Sequence, residues 1–171
     1  MTEIEQLNIA DIEGSVSTKL SIFKEKRNIK DPALIGIRRG GVWFGQKISS
    51  HCFPGKDFGE LNIAYYRDDF QRIGLHPTVE PSELPFDIEG RDVILFDDIL
   101  HTGRTIRAAM NEIFDYGRPN SILLVVLLDR GGRELPITPD ICGINMELSD
   151  KYHVKIENEK STQFKVFERR K

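Results

Sequence analysis

Two cysteines in 171 residues, Cys52 and Cys142, are too few and too far apart for a disulfide framework, and neither sits in a Cys-x-x-Cys or Cys/His spacing that would hold zinc. The expectation is two reduced thiols and no protein-built metal site. No apolar run approaches the length of a membrane span, and the opening Met1-Thr2-Glu3-Ile4-Glu5 is acidic and polar where a signal core would be hydrophobic. A protein without membrane contact that stays in the cytoplasm is expected. Excess positive charge is also missing: the formal net charge is −3 and the pI about 5.8, so nothing draws a polyanion to the chain as a whole, and nucleic acid would need a local patch. A Gly-x-x-x-x-Gly-Lys-Ser/Thr loop is absent, which excludes a Walker nucleotide site. There are no repeats, low-complexity tracts or linkers. What is present, 39% hydrophobic and 30% charged residues, fits one α/β domain over 1–171 with a core of its own.

The chemistry concentrates between Val93 and Thr105. Val93-Ile94-Leu95-Phe96 has no polar alternation and reads as a strand buried on both faces, with Asp97 and Asp98 at its carboxyl end, where open α/β sheets bind ligands. After a three-residue connection, Ile99, Leu100 and His101, come Thr102-Gly103-Arg104-Thr105 and a helical stripe of Ile106, Ala109, Met110 and Ile113. Amides at a helix N-terminus are unpaired and carry the positive end of the dipole, so this turn suits a phosphate, with two hydroxyls as further donors. The adjacent carboxylates are badly placed for phosphate and well placed to accept hydrogen bonds from vicinal ribose hydroxyls. The order of elements asks for a ribose 5-phosphate. Against it stands a plain capped helix with Thr102 as its cap.

Elsewhere, Ile12, Val16, Leu20 and Phe23 recur at helical spacing, predicting an amphipathic helix that ends near Lys26 or Arg27 and is broken by Asp31-Pro32; its Lys19, Lys24, Lys26 and Arg27 read as a solvated face. Ala33 to Ile37 is a short strand, followed by Arg38-Arg39-Gly40-Gly41 and a helix from about Val42 to Ser50. Forked donors beside open backbone amides suit a diphosphate. Leu61, Ile63 and Tyr65 alternate as a third strand, and a connection runs from Arg67 to about Glu89, too long for wiring and therefore a lid or loop; an exposed His76 within it carries little. Gly117-Arg118-Pro119 closes the signature helix. Ser121 to Leu128 and Ile141 to Ile144 read as strands, with Asp129 to Arg133 as a third loop at the same sheet edge, and Tyr152 to Ile156 with Gln163 to Phe167 as a hairpin without assigned function.

The Val93–Thr105 stretch resembles the phosphoribosyl pyrophosphate (PRPP) signature of type I phosphoribosyltransferases. Tyr65-Tyr66-Arg67-Asp68-Asp69-Phe70, Asp115-Tyr116-Gly117-Arg118-Pro119 and Leu128-Asp129-Arg130-Gly131-Gly132-Arg133-Glu134-Leu135-Pro136-Ile137 narrow the resemblance to the PyrR family, over about Leu34 to Asn145. It implies a mostly parallel central sheet flanked by helices (core about 33–130), a long flexible loop, and a small hood with the C-terminal hairpin (about 131–171). It also implies transfer of the ribosyl group of PRPP to uracil, giving UMP and diphosphate, with Mg2+ bound mainly through PRPP, and assembly as a homodimer or higher. Asp97 and Asp98 would hold the ribose as catalytic residues. Thr102 to Thr105 would take the 5-phosphate and Arg38 to Gly41 the diphosphate, with Arg67, Ile99, Leu100, His101 and Arg130 completing the substrate contacts and the base near Asp129 to Arg133.

Two departures matter. The family's diphosphate loop reads Gly-Ile-Arg/Lys-Thr-Arg-Gly, whereas Arg39 stands here at the threonine and Gly40 at the arginine; restoring that order is expected to preserve or raise activity. The family's RNA-contacting segment reads Arg-Gly-His-Arg-Glu-Leu-Pro-Ile-Arg, whereas Gly132 replaces the histidine, Thr138 stands for the last arginine, and the first helix lacks the family's Thr-Arg-Ile-Ala-His; only Arg133 survives clearly. A UMP-responsive RNA-binding attenuator is therefore the disfavoured alternative, with a catalytically weak PRPP or UMP sensor as a third.

Overall fold

In the computed structural model, which describes residues 3–63 and 81–168, five apolar runs pair side by side: Ala33–Ile37 (β1), Phe58–Leu61 (β2), Asp92–Leu100 (β3), Ser121–Asp129 (β4) and Ile141–Asn145 (β5). Every pairing is parallel and the order is β2-β1-β3-β4-β5. Helices cover both faces: α1 (Ile9–Arg27) and α2 (Gly40–Cys52) one side, α3 (Arg104–Tyr116) the other. Because strand side chains alternate, the continuous apolar runs divide cleanly. Leu34, Ile94, Phe96, Val125 and Leu127 join the cluster under α1 and α2; Ile35, Val93, Leu95, Leu124 and Val126 join the one under α3. The buried clusters draw on α1 before residue 33 and on β5 beyond residue 130. Phe96 is fully buried, with the Phe44 and Phe58 rings both 6.0 Å away, so truncation to Ala is expected to cost about 3–5 kcal/mol.

Two strand boundaries differ from expectation, while helix α1 ends at Arg27 as expected. Its stop is a local cap rather than proline: Asn28 adopts the left-handed conformation, φ 53°, and its N–H bonds the Glu25 carbonyl while Ile29 bonds Lys24, so orphan carbonyls are closed before Asp31-Pro32. The strand expected from Leu61 is β2, which begins earlier, at Phe58, and whose described rungs on β1 reach Leu61 opposite Ile37; Ala64 and Tyr65 lie outside the described residues. Conversely β3 does not end at Phe96; beyond the last β1 rung, Gly36 to Phe96, it continues along β4 to Leu100 opposite Asp129. Asp97 and Asp98 thus lie within the strand, on the stretch that β1 leaves uncovered. Gly117 does cap α3, in extended backbone (φ 158°) rather than the left-handed turn.

On α1, Lys19 and Lys24 are not merely solvated: their ammonium groups donate to the Cys142 and Cys52 carbonyls at 2.7 and 2.8 Å, tying the helix to β5 and α2. The expected hairpin forms from β6 (Tyr152–Lys155) and β7 (Lys165–Glu168). It rests on the core through Val154, Ile156, Val166 and the buried Phe164, and Ile9 N–H donates to the Thr162 carbonyl at 2.9 Å. The end of the long connection returns to the sheet through a Glu60–Glu83 bridge, with the Ser82 hydroxyl accepting from Asn62 N–H and donating to the Glu112 carboxylate. Both cysteines are free thiols. Among the described residues no helix is long and apolar enough to cross a membrane.

Candidate active site between two helix N-termini

Where β1 stops, the chain turns through Arg38 and Arg39 into α2, and where β3 stops it turns through Gly103 into α3. The two helices begin on either side of the Asp97-Asp98 step. Neither has an acidic residue in its first turn, so both N-termini keep their positive field for a ligand. Asp97 is 4% exposed and its Oδ1 accepts the Asp98 N–H at 3.1 Å; Asp98 is half-buried at the mouth. Gly40 and Gly41 permit the close approach of α2: a Cβ at Gly40 would overlap the Asp98 carboxylate, and one at Gly41 the Phe96 carbonyl.

A cleft of about 960 Å³ opens above this step, its floor running from Asp97 to Ile106. Thr102 and Thr105 are half-buried in it, and Gly103 is left-handed at φ 90°. The capping alternative is partly right, since Thr102 Oγ1 accepts the Arg104 N–H at 3.2 Å; its hydroxyl proton is still available to donate. Ile99 and Leu100 belong to the cleft through their backbone, their side chains packing into the two core clusters. Arg104 is exposed and its Nε lies 2.5 Å from Glu134 Oε2. His101 Nε2 stands 3.5 Å from Asp150 Oδ1, a carboxylate so exposed that the pair contributes little.

Of the diphosphate residues, Arg39 is the N-cap of α2 and exposed, and the peptide joining it to Arg38 is cis. The Arg38 Nε donates to Glu60 Oε2 on β2 at 2.9 Å. Arg130, expected among the substrate contacts, lines the cleft and also ties it to the hairpin. It is 3% exposed, and its guanidinium donates to the Tyr152 and Ser149 carbonyls at 2.8 and 3.2 Å, holding the hairpin against the third loop. Arg67 and His76 lie outside the described residues.

The far wall is what the sequence did not announce. Arg133, Glu134, Asp150, His153, Lys155 and Phe167 all line the cleft. His153 and Lys155 stand two apart on β6 and so share a face, but no motif marks that spacing as a site. Arg133 belongs to the Leu128–Ile137 motif, but nothing in that motif marks its inward orientation. Its guanidinium donates to the Asp129 carboxylate and to the His101 carbonyl, the latter at 2.6 Å.

Chemically, the cleft offers two carboxylates between two cationic helix ends, a glycine-opened turn with hydroxyls, and a wall in which Arg133, His153, Lys155 and Phe167 stand with Glu134 and Asp150. A sugar bearing a phosphate at one end and a leaving anion at the other matches that distribution of charge. Among the described residues no three His, Cys, Asp or Glu side chains cluster as a metal cage.

The chain is similar to known proteins. The family model for the phosphoribosyl transferase domain matches residues 4–157. The chain is 46% identical over 162 residues to the bifunctional protein PyrR of Nitrosococcus oceani, covering 94% of this chain and 92% of that one. It is 48% identical over 149 residues to the PyrR of Pseudomonas syringae pv. tomato, covering 87% and 88%. Among solved structures, the hypoxanthine phosphoribosyltransferase of Trypanosoma cruzi superposes with a TM-score of 0.71 at 17% identity, covering 98% and 97% of the two chains. That of Staphylococcus aureus gives 0.63 at 20% identity, covering 88% and 80%. These last two bear on fold alone.

Proposed function

Since the chain belongs to the phosphoribosyltransferase family and, within it, to PyrR, we propose that its cleft binds PRPP and uracil and forms UMP and diphosphate. The observation that carries the proposal is the Asp97-Asp98 step set between two helix N-termini that lack acidic residues. Asp97 and Asp98 accept the ribose hydroxyls. The Thr102–Thr105 turn binds the 5-phosphate with its amides and hydroxyls, and the start of α2 with Arg38 and Arg39 takes the diphosphate. Substitution at the anomeric carbon passes through a cation-like ribose, so the task of the protein is to hold a cationic centre near carboxylates and the departing anion near positive dipoles, with water kept out. The donor set fits Mg2+ carried on PRPP oxygens, because one or two carboxylates and retained waters suit that ion and no protein cage is needed. When bound it would supply charge to the leaving diphosphate. The base lies against the Asp129–Arg133 loop. The working setting is the cytoplasm, and the partners are PRPP, uracil, UMP and further copies of the chain.

The test is release of diphosphate from PRPP with uracil, orotate, hypoxanthine, guanine and adenine in parallel. Turnover with uracil is expected; turnover with a purine alone, or with none, would reject the assignment.

A second reading, UMP-dependent RNA attenuation, rests on the word bifunctional in the relatives' name. It requires an outward basic surface, and the one clearly retained member of the family's RNA-contact set, Arg133, is bound within the cleft wall. The sensor reading would need PRPP or UMP binding without turnover, which the same assay separates.

A further inference from the structure

Segment 134–137, the Glu-Leu-Pro-Ile stretch that follows the base-side loop, has no task in the chemistry above, yet it is strapped to the phosphate turn along its length. Glu134 and Leu135 N–H both donate to the Thr102 carbonyl, at 3.0 and 3.1 Å. The Glu134 carboxylate accepts from Arg104, the first residue of α3. Ile137 and Leu135 pack against Gly103 so closely that a Cβ there would touch both at 3.4 Å. Just before the segment, Arg133 reaches two places at once: one arm of its guanidinium donates to the His101 carbonyl beside the phosphate turn, the other to Asp129. Asp129 is 5% exposed and its other oxygen accepts the Gly131 N–H at 3.0 Å, which fixes the base-side loop. The link is therefore between two loops, not within one.

We infer that Arg133 is a positioning residue that couples the two ends of the nucleotide site, holding the base-side loop in register with the 5-phosphate turn. The inference rests on the reading of the cleft as a nucleotide site. A planar fork is required because the two acceptors lie on different loops; an ammonium could serve Asp129 but could not span to His101 with fixed geometry. Gly132 suits the same design. It is left-handed at φ 69°, and a Cβ there would stand 2.8 Å from His101 Nε2, so its bareness lets the His101 ring lie against the base-side loop. With both arms of its guanidinium engaged on protein acceptors, Arg133 acts by fixing the distance between the groups assigned to the ligand.

Calorimetry with two ligands separates this role from a general structural one. Ribose 5-phosphate engages only the turn and the carboxylates, whereas UMP engages the turn and the base-side loop together. In Arg133→Lys, UMP affinity should fall at least tenfold while ribose 5-phosphate affinity changes less than threefold. Should the lysine variant fail to fold, Arg133→Gln with Asp129→Asn removes the charge pair as a unit, keeps the Gly131 contact, and should give the same split. Equal losses for both ligands, or no loss for either, would overturn the coupling while leaving the site reading intact. A wild-type protein that binds neither ligand would overturn the site reading and the inference together.

Discussion

Gly40 stands against the carboxylate of Asp98, close enough that a Cβ at position 40 would occupy the space of Oδ2. The diphosphate loop and the ribose carboxylates are therefore one fitted unit, and the expectation that the family's loop order could be restored without loss is withdrawn. Gly40→Arg, alone or with Arg39→Thr, would push the Asp98 side chain from its place. Losing a hydrogen bond to a charged acceptor costs about 1.5–3 kcal/mol, so kcat/KM for PRPP should drop about 10- to 100-fold. Steady-state kinetics with PRPP varied would decide it, and activity equal to or above wild type would reinstate the original expectation.

Asp97→Asn with Asp98→Asn should abolish measurable PRPP binding and leave the fold standing. Asp97 is buried rather than solvent-facing, but asparagine has the same shape and retains the Oδ1 that accepts the Asp98 N–H. Circular dichroism would confirm folding and titration calorimetry the loss. Wild-type affinity in a folded double variant would mean the carboxylates do not hold the ribose.

The sheet and three of its loops were legible because buried parallel strands write themselves as apolar runs: β1, β4, β5 and the first part of β3 stand where the sequence puts them. What was hidden depends on neighbours. Polar Asp97 and Asp98 look like a strand's end, and only the register with β4 reveals that the strand goes on. The alternation begins at Leu61, yet β2 pairs with β1 from Phe58, a stretch in which Gly59 and Glu60 hide the strand. Arg130 reads as a ligand contact, and its bonds to the hairpin carbonyls of residues 149 and 152 are a relation no local pattern records.

Binding to a pyrimidine-leader RNA hairpin, with or without UMP, should be weak and salt-dependent, with a dissociation constant on the order of 10⁻⁴ to 10⁻⁶ M at physiological salt. The chain carries a net charge of −3, and Arg133 is 21% exposed and engaged on two acceptors. Filter binding against a scrambled hairpin is the measurement. Nanomolar affinity that discriminates the leader and tightens with UMP would overturn the ranking of the two readings.

Burial pushes the Cys142 thiol above its ordinary value of 9.0, and the nearby Asp129 charge acts in the same direction. The Sγ donates to the Ile144 carbonyl at 2.9 Å. The folded chain thus keeps a proton that the unfolded chain releases, so the contribution to stability is complete below about pH 9.0 and is lost as pH rises through the higher folded value. Urea midpoints compared at pH 8 and pH 10 should fall more steeply in wild type than in Cys142→Ala. Parallel slopes would show that the thiol titrates alike in both states.

The stagger at Phe96, where β1 leaves β3 and β4 continues, makes chain length itself a determinant of activity. Two more residues in β1, at about 3.3 Å each, would carry its ladder past Asp97 and Asp98 and fill the notch with backbone. Such an insertion would alter none of the acidic, basic or hydroxyl side chains discussed above, yet the substrate's berth would become ordinary sheet. A comparison that scores only which residues match would overlook that change entirely; the gap in an alignment just before Arg38 would be the more telling sign.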